Sequence, residues 1–305
     1  MSNKRSFPSE AELDALFDEV NNAGRWGEDD ELGTLNFITP EKRVSAAALV
    51  REGRALSIGR DLDTIQSANN PQPVRHTMCY QSHYPIGCVD AVVIDMHGFA
   101  ITHLDAVAHV YRDQDVYNGR QAAAVALPGG LAFGDILAQK DGVFTRGVLL
   151  NIAAVRGKDW LAPDGGVTAA DLTAAEDGQG VVVEPGDCIF VYTGLQKREA
   201  AEGPENLGER AGIMPDAIRW MHERKIAVYS GDCVDAFPNP YGPRYAIYFH
   251  AITLAAMGLV LLDIPALEPL VDVCTELDRS DFLLTMAPLR LKGGTGCPVN
   301  PIALF

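Results

Sequence analysis

Apolar residues along this chain recur at two spacings. Leu13, Leu16, Phe17 and Val20 fall at helical intervals behind Ser9-x-x-Glu12, a capping-box spacing, and predict an amphipathic helix running to about Asn22. Thr39-Pro40, a cap followed by proline in the first turn, opens a second helix carrying Val44, Ala47 and Val50. The stretch between them, residues 25–36, has no period and reads as an ordered loop. Further on the spacing changes to short apolar runs at 55–58, 91–96, 148–153, 188–193, 226–230, 259–263 and 282–286. Several are continuous and closed by glycine, aspartate or proline, the pattern of strands buried on both faces. Helical stretches interleave at 168–175, capped by Thr168 with Asp171 three residues on, and at 215–224 and 245–257. The uneven alternation predicts an α/β architecture with a mixed sheet rather than a regular doubly wound one.

Composition narrows what such a fold does. The 305 residues are 47% hydrophobic, enough for one large core, and with no repeat or low-complexity linker they are expected to form a single domain, 1–305, with an N-terminal helical extension over about 8–52. A net charge of −16 repels phosphate backbones and anionic membranes, which leaves a small molecule as the expected partner, with no nucleic acid and no membrane. No segment approaches the roughly 18 uncharged residues of a membrane span, and the basic opening has no apolar stretch behind it, so a cytoplasmic protein is expected. The six cysteines form no C-x-x-C pair and are expected as buried free thiols. A homo-oligomer, dimer or tetramer, is expected.

The chemistry concentrates in one segment. Three of the seven histidines, His97, His103 and His109, lie within thirteen residues, and Asp105 falls between the last two. Imidazole nitrogen and carboxylate oxygen together suit zinc, manganese or iron, and a His-x-Asp pair lets one short stretch aim two ligands at one ion. A helix starting near Asp105 would put Asp105 and His109 on one face, with His103 approaching from the preceding turn. The alternative is that these are ordinary core or surface histidines. Lys292-Gly-Gly-Thr-Gly-Cys-Pro298 does not lead into a helix, so a tight turn lining or bracing a pocket is expected there rather than a phosphate cradle. Cys233 has no histidine adjacent in sequence, and Asp232 and Asp235 read as pocket walls or turn residues. Trp26, Phe99, Tyr117 and Phe237 are either core residues or walls for an aromatic substrate. Residues 199–210 read as a surface loop, and 239–244 as a rigid turn or a flap.

Asp95-Met-His-Gly-Phe-Ala-Ile-Thr-His-Leu-Asp-Ala-Val-Ala-His109 resembles the His-x-Gly-Thr-His-x-Asp-x-Pro-x-His signature of the cyclase family of metal-dependent hydrolases, which includes kynurenine formamidase and isatin hydrolase. Residues 25–36, Val116-Tyr-Asn-Gly119, Tyr192-Thr-Gly194 and Gly293-Gly-Thr-Gly-Cys-Pro-Val-Asn-Pro-Ile-Ala303 are similar to its longer members, so the likeness spans nearly the whole chain. It implies a mixed sheet with packed helices of the swivelling β/β/α type. It also implies a divalent ion, zinc or manganese, on His103, Asp105, His250 and Asp263, the last standing where many relatives have glutamate. His109 would then be a second-site ligand or a proton shuttle. Four residues before His103, where the short pattern has histidine, this chain has Phe99; His97 is the nearest further metal candidate.

The activity these features suggest is hydrolysis of an amide, imide, lactone or ester of a small, cyclic or aromatic substrate, with a metal-activated water and with His109 or Asp263 moving the proton. The absence of a Gly-x-Ser-x-Gly elbow is consistent with a mechanism that needs no nucleophilic side chain. The same ligands would serve a metal-dependent lyase or isomerase, or a non-catalytic protein with a closed structural metal site.

Overall fold

The continuous apolar runs are strands whose alternate side chains leave the backbone on opposite faces, and both faces are covered. In the computed structural model, which describes residues 5–79 and 87–305, nine strands form one mixed sheet. In chain order they are β1 (Ala55–Ser57), β2 (His103–Asp105), β3 (Val143–Asn151), β4 (Cys188–Tyr192), β5 (Val228–Gly231), β6 (Val260–Asp263), β7 (Asp281–Met286), β8 (Gly296–Pro298) and β9 (Ile302–Leu304). Across the sheet the order is β1-β9-β7-β3-β4-β5-β6-β2-β8. The central strands β3 to β6 run parallel, and β2 and β8 extend that edge antiparallel.

Two hydrophobic cores sandwich the sheet. Val148, Leu150, Ile189, Val191, Tyr229 and Leu261 face one, together with Leu13, Leu16 and Phe17 of α1 (Glu10–Glu19), Leu172 and Ala175 of α2 (Ala169–Gln179), and Ile218 and Met221 of α3 (Pro215–Arg224). Their neighbours Leu149, Phe190, Val228, Val260 and Leu262 face the other, with Leu104 and with Leu270 and Val273 of α4 (Glu268–Glu276). The Ser9–Glu12 and Thr168–Asp171 capping boxes both form, and Thr39 caps a helix over Pro40–Ala47. No helix among the described residues is long and apolar enough to cross a membrane.

Several expectations are corrected. The segment around Asp105 starts no helix: His103–Asp105 is a strand, held by β6 on one side and β8 on the other, followed by a turn in which His109 N–H donates to Ala106 O at 2.9 Å. The apolar run at 91–96 belongs to a hairpin, Arg75–Cys79 with Val89–Val93, whose residues are exposed rather than buried. The strand expected at 148–153 begins earlier, at Val143, and gives way to a helical turn at Ile152–Val155, which Asn151 caps. The helix at 245–257 is a 3-10 turn, a short α-helix α5 (Tyr248–Ile252) and a π turn (Thr253–Met257). Cys79 and Cys88 are exposed, whereas the other four cysteines are buried free thiols. Positions 1–4, including Lys4 of the basic opening, lie outside the described residues.

Candidate metal centre

Strand periodicity explains the His-x-Asp spacing. His103 and Asp105 are two apart on β2, so their side chains leave one face of the sheet while Leu104 between them enters a core. The register places Asp263, the last residue of β6, directly opposite His103, and Gly231, the last of β5, beside Asp263. The acids therefore gather at the carboxyl edge of the parallel strands, where α/β sheets place their ligand sites. His250 arrives from α5.

Each ring is held by a partner. His103 Nδ1–H donates to Ile101 O at 2.8 Å, which leaves Nε2 as the lone-pair nitrogen, 3.5 Å from Asp105 Oδ1. His250 Nδ1 bonds Asp235 Oδ2, and its Nε2 lies 3.2 Å from Asp263 Oδ2 and 3.8 Å from Asp105 Oδ2. Asp235 is itself anchored, its Oδ1 accepting from Phe249 N–H at 2.7 Å. Such carboxylate–histidine pairs fix the tautomer and aim of a metal-ligating imidazole. Both nitrogens of His97 are engaged, Nδ1 with Asp105 Oδ1 at 2.9 Å and Nε2 with Thr295 Oγ1 at 2.8 Å. Its ring stacks on His109 with centroids 3.6 Å apart. The glycine-rich turn braces this pair as expected, because a Cβ on Gly296 would lie 2.8 Å from His97 Cε1.

Charge and burial set the protonation states. Burial works against the Asp105 carboxylate, but the neighbouring imidazoles of His109, His97 and His103 outweigh it and hold the carboxyl below its ordinary value. Burial pushes His109 down to about 4, against the pull of Asp105. For His250 burial is again unfavourable, yet Asp235 and Asp263 outweigh it and raise the imidazole well above its ordinary value.

The unsatisfied atoms of the donor set suit a divalent ion. Asp105 Oδ2 and Asp263 Oδ1 are buried without a hydrogen-bond partner among the described residues, an arrangement that is costly unless a cation or further donor meets them. One ligand atom each from His103, Asp105 and Asp263 lies within 4.8 Å of the others, and the same holds for His97, Asp105 and His109. Mixed imidazole and carboxylate donors suit zinc or manganese, so the residues fit the ion. The histidines and Asp263 open onto a cavity of about 140 Å³, walled also by Phe99, Val110, Ile247, Ile264 and Arg210. A larger cleft of about 720 Å³, beside Arg5, Phe7, Leu16 and Arg219, holds neither ligating group.

Of the five metal candidates named from sequence, His97, His103, His250 and Asp263 line this cavity together with His109, and the fully buried Asp105 contacts His97 and His103. Arg210, and Thr295 in contact with His97, are additions from the structure, whereas Asp235, read from sequence as a pocket wall or turn residue, lines the cavity and bonds His250. Arg210 lies in the segment read as a surface loop, yet it is buried. Cys233 is buried, and burial raises its thiol well above the usual range. Tyr117 is core, its hydroxyl donating to Asp30, and Trp26 packs on Phe37.

Fold and donor set together define an α/β protein with an imidazole–carboxylate centre suited to a divalent metal. The chain belongs to the cyclase family, for the Cyclase family model matches residues 47–236. It is similar to a crystal structure described as a novel cyclase, with a TM-score of 0.84 and 29% identity over 95% of this chain and 99% of that one. It shares its fold with isatin hydrolase A from Labrenzia aggregata bound to benzyl benzoate, with a TM-score of 0.59 and 20% identity over 86% of this chain and 97% of that one. An isatin hydrolase bound to the product analogue thioisatinate gives a TM-score of 0.59 and 19% identity over 88% and 99%. No curated protein matches the chain.

Proposed function

We propose that this chain is a metal-dependent hydrolase that cleaves an amide, imide, lactone or ester bond of a small substrate. The observation that carries the reading is the pair of buried carboxylate oxygens, Asp105 Oδ2 and Asp263 Oδ1, without partners among the described residues and on residues that face Nε2 of His103 and of His250. His103, Asp105, His250 and Asp263 would hold the ion, zinc or manganese. A divalent ion there lowers the pKa of a water toward neutrality and polarises the scissile carbonyl.

The remaining work falls to the chain's own groups. His97, engaged at both nitrogens, orients Asp105. An imidazole nitrogen of His109 accepts a proton from the attacking water and returns it to the leaving atom, because burial keeps that ring neutral. Asp263 assists that transfer from the opposite strand. Phe99, Val110, Ile247 and Ile264 exclude bulk water and receive an apolar substrate body.

A screen of formamides, imides, lactones and esters in ¹⁸O-labelled water tests the reading. Hydrolysis requires one labelled oxygen in the acid product. Turnover that leaves the product unlabelled would instead indicate a lyase or isomerase.

A further inference from the structure

Arg210 is 4% exposed and borders the metal cavity. Its Nε donates to the backbone carbonyl of Asp235 at 3.1 Å, which ties the guanidinium to the residue that orients His250. Its guanidinium carbon lies 4.0 Å from the Phe99 ring centroid and 4.8 Å from that of Phe237. Asp235, Glu205 and Asp263 act on it through space, but among the described residues none pairs with it, and Glu205 is bound to Arg198 at 2.6 Å. Nor does any described residue hydrogen-bond its two terminal nitrogens. Burying a guanidinium is costly unless its donors find acceptors, and the planar fork matches a carboxylate with two parallel hydrogen bonds. The two aromatic rings hold that fork in place before any ligand arrives.

Hydrolysis of an amide or ester creates a carboxylate in this cavity. We propose that Arg210 is the specificity-determining residue of the site, a receptor for the carboxylate of the released acid, with Phe99 and Phe237 fixing its orientation. The inference rests on the hydrolase reading for the origin of that acid. It also gives Phe99, at the position where the short family pattern has histidine, a bracing role beside the guanidinium.

Benzoate, an apolar body bearing one carboxylate, and benzamide, its uncharged counterpart, separate charge recognition from shape. Calorimetric titration of the purified metal-containing protein should show benzoate binding at least about tenfold more tightly than benzamide, the scale of a charged hydrogen bond. Arg210→Gln should lose about ten- to a hundredfold in benzoate affinity while its metal content and benzamide affinity stay unchanged, and Arg210→Lys should recover part of the loss. Wild-type protein with no preference for benzoate overturns the proposal, even where a variant fails to fold. So does Arg210→Gln protein that binds benzoate like wild type, because the metal alone would then hold the carboxylate. Neither arm depends on turnover, so benzoate recognition through Arg210 in a protein that hydrolyses nothing would contradict the hydrolase reading alone.

Discussion

His109 and His103 sit six residues apart and are asked to do different work. His103 presents a lone-pair nitrogen beside Asp105 and opposite Asp263, whereas His109 stacks on His97 with its pKa pushed down to about 4. His109→Ala should therefore keep its metal and lose about 10²- to 10⁴-fold in turnover, the usual worth of a positioned acid–base group. His103→Ala should lose metal and turnover together. Elemental analysis beside a rate assay checks both, and loss of metal from His109→Ala would make His109 a ligand of a second ion. These residues were legible in sequence because they share one short segment. Arg210 was not, since only the folded turns around 210 and 235 bring it to the cavity, and Asp235 was legible as a pocket wall but not as the partner of His250.

Among the elements, helix starts carry local signals, although the Pro40 helix ends at Ala47, short of Val50, and leaves Val44 exposed. Ser9–Glu12 and Thr168–Asp171 cap their helices, and 215–224 is helical to the residue. The strand at His103–Asp105 was missed because pairing with β6 and β8 decides it, and no periodicity is visible in three residues. The interrupted helix around His250 was read as continuous. It closes at Gly258 in a left-handed turn (φ +61°) against the Tyr117 ring, a long-range contact. The α2 cap yields a pH-dependent prediction. Burial opposes the Asp171 carboxylate, but the Arg156 bidentate contact and Thr168 hold its pKa below the ordinary value. A carboxyl depressed on folding stabilises the protein above its unfolded pKa, and the contribution fades as pH falls through the acid range. Asp171→Asn should cost about 1.5–3 kcal/mol at pH 7. Urea midpoints should show the gap from wild type narrowing toward pH 3, and a gap that stays constant would contradict the assignment.

For the whole molecule, a divalent ion on the buried carboxylates at one edge of the sheet would couple stability to metal. The net charge of −16 favours cation uptake, and an ion bound only by the folded state stabilises it in proportion to occupancy. The cyclase fold explains why the sheet brings β2, β5 and β6 to that edge, and Phe99 shows where this chain builds its cavity differently from the short family pattern. The most direct test is elemental analysis of the purified wild-type protein, with hydrolysis and thermal midpoint followed through chelation and re-addition of zinc or manganese. About one or two divalent ions per chain are expected from the donor set, with stripping abolishing hydrolysis and lowering the midpoint, and re-addition restoring both. Metal-free protein that hydrolyses its substrate at the full rate would contradict the account.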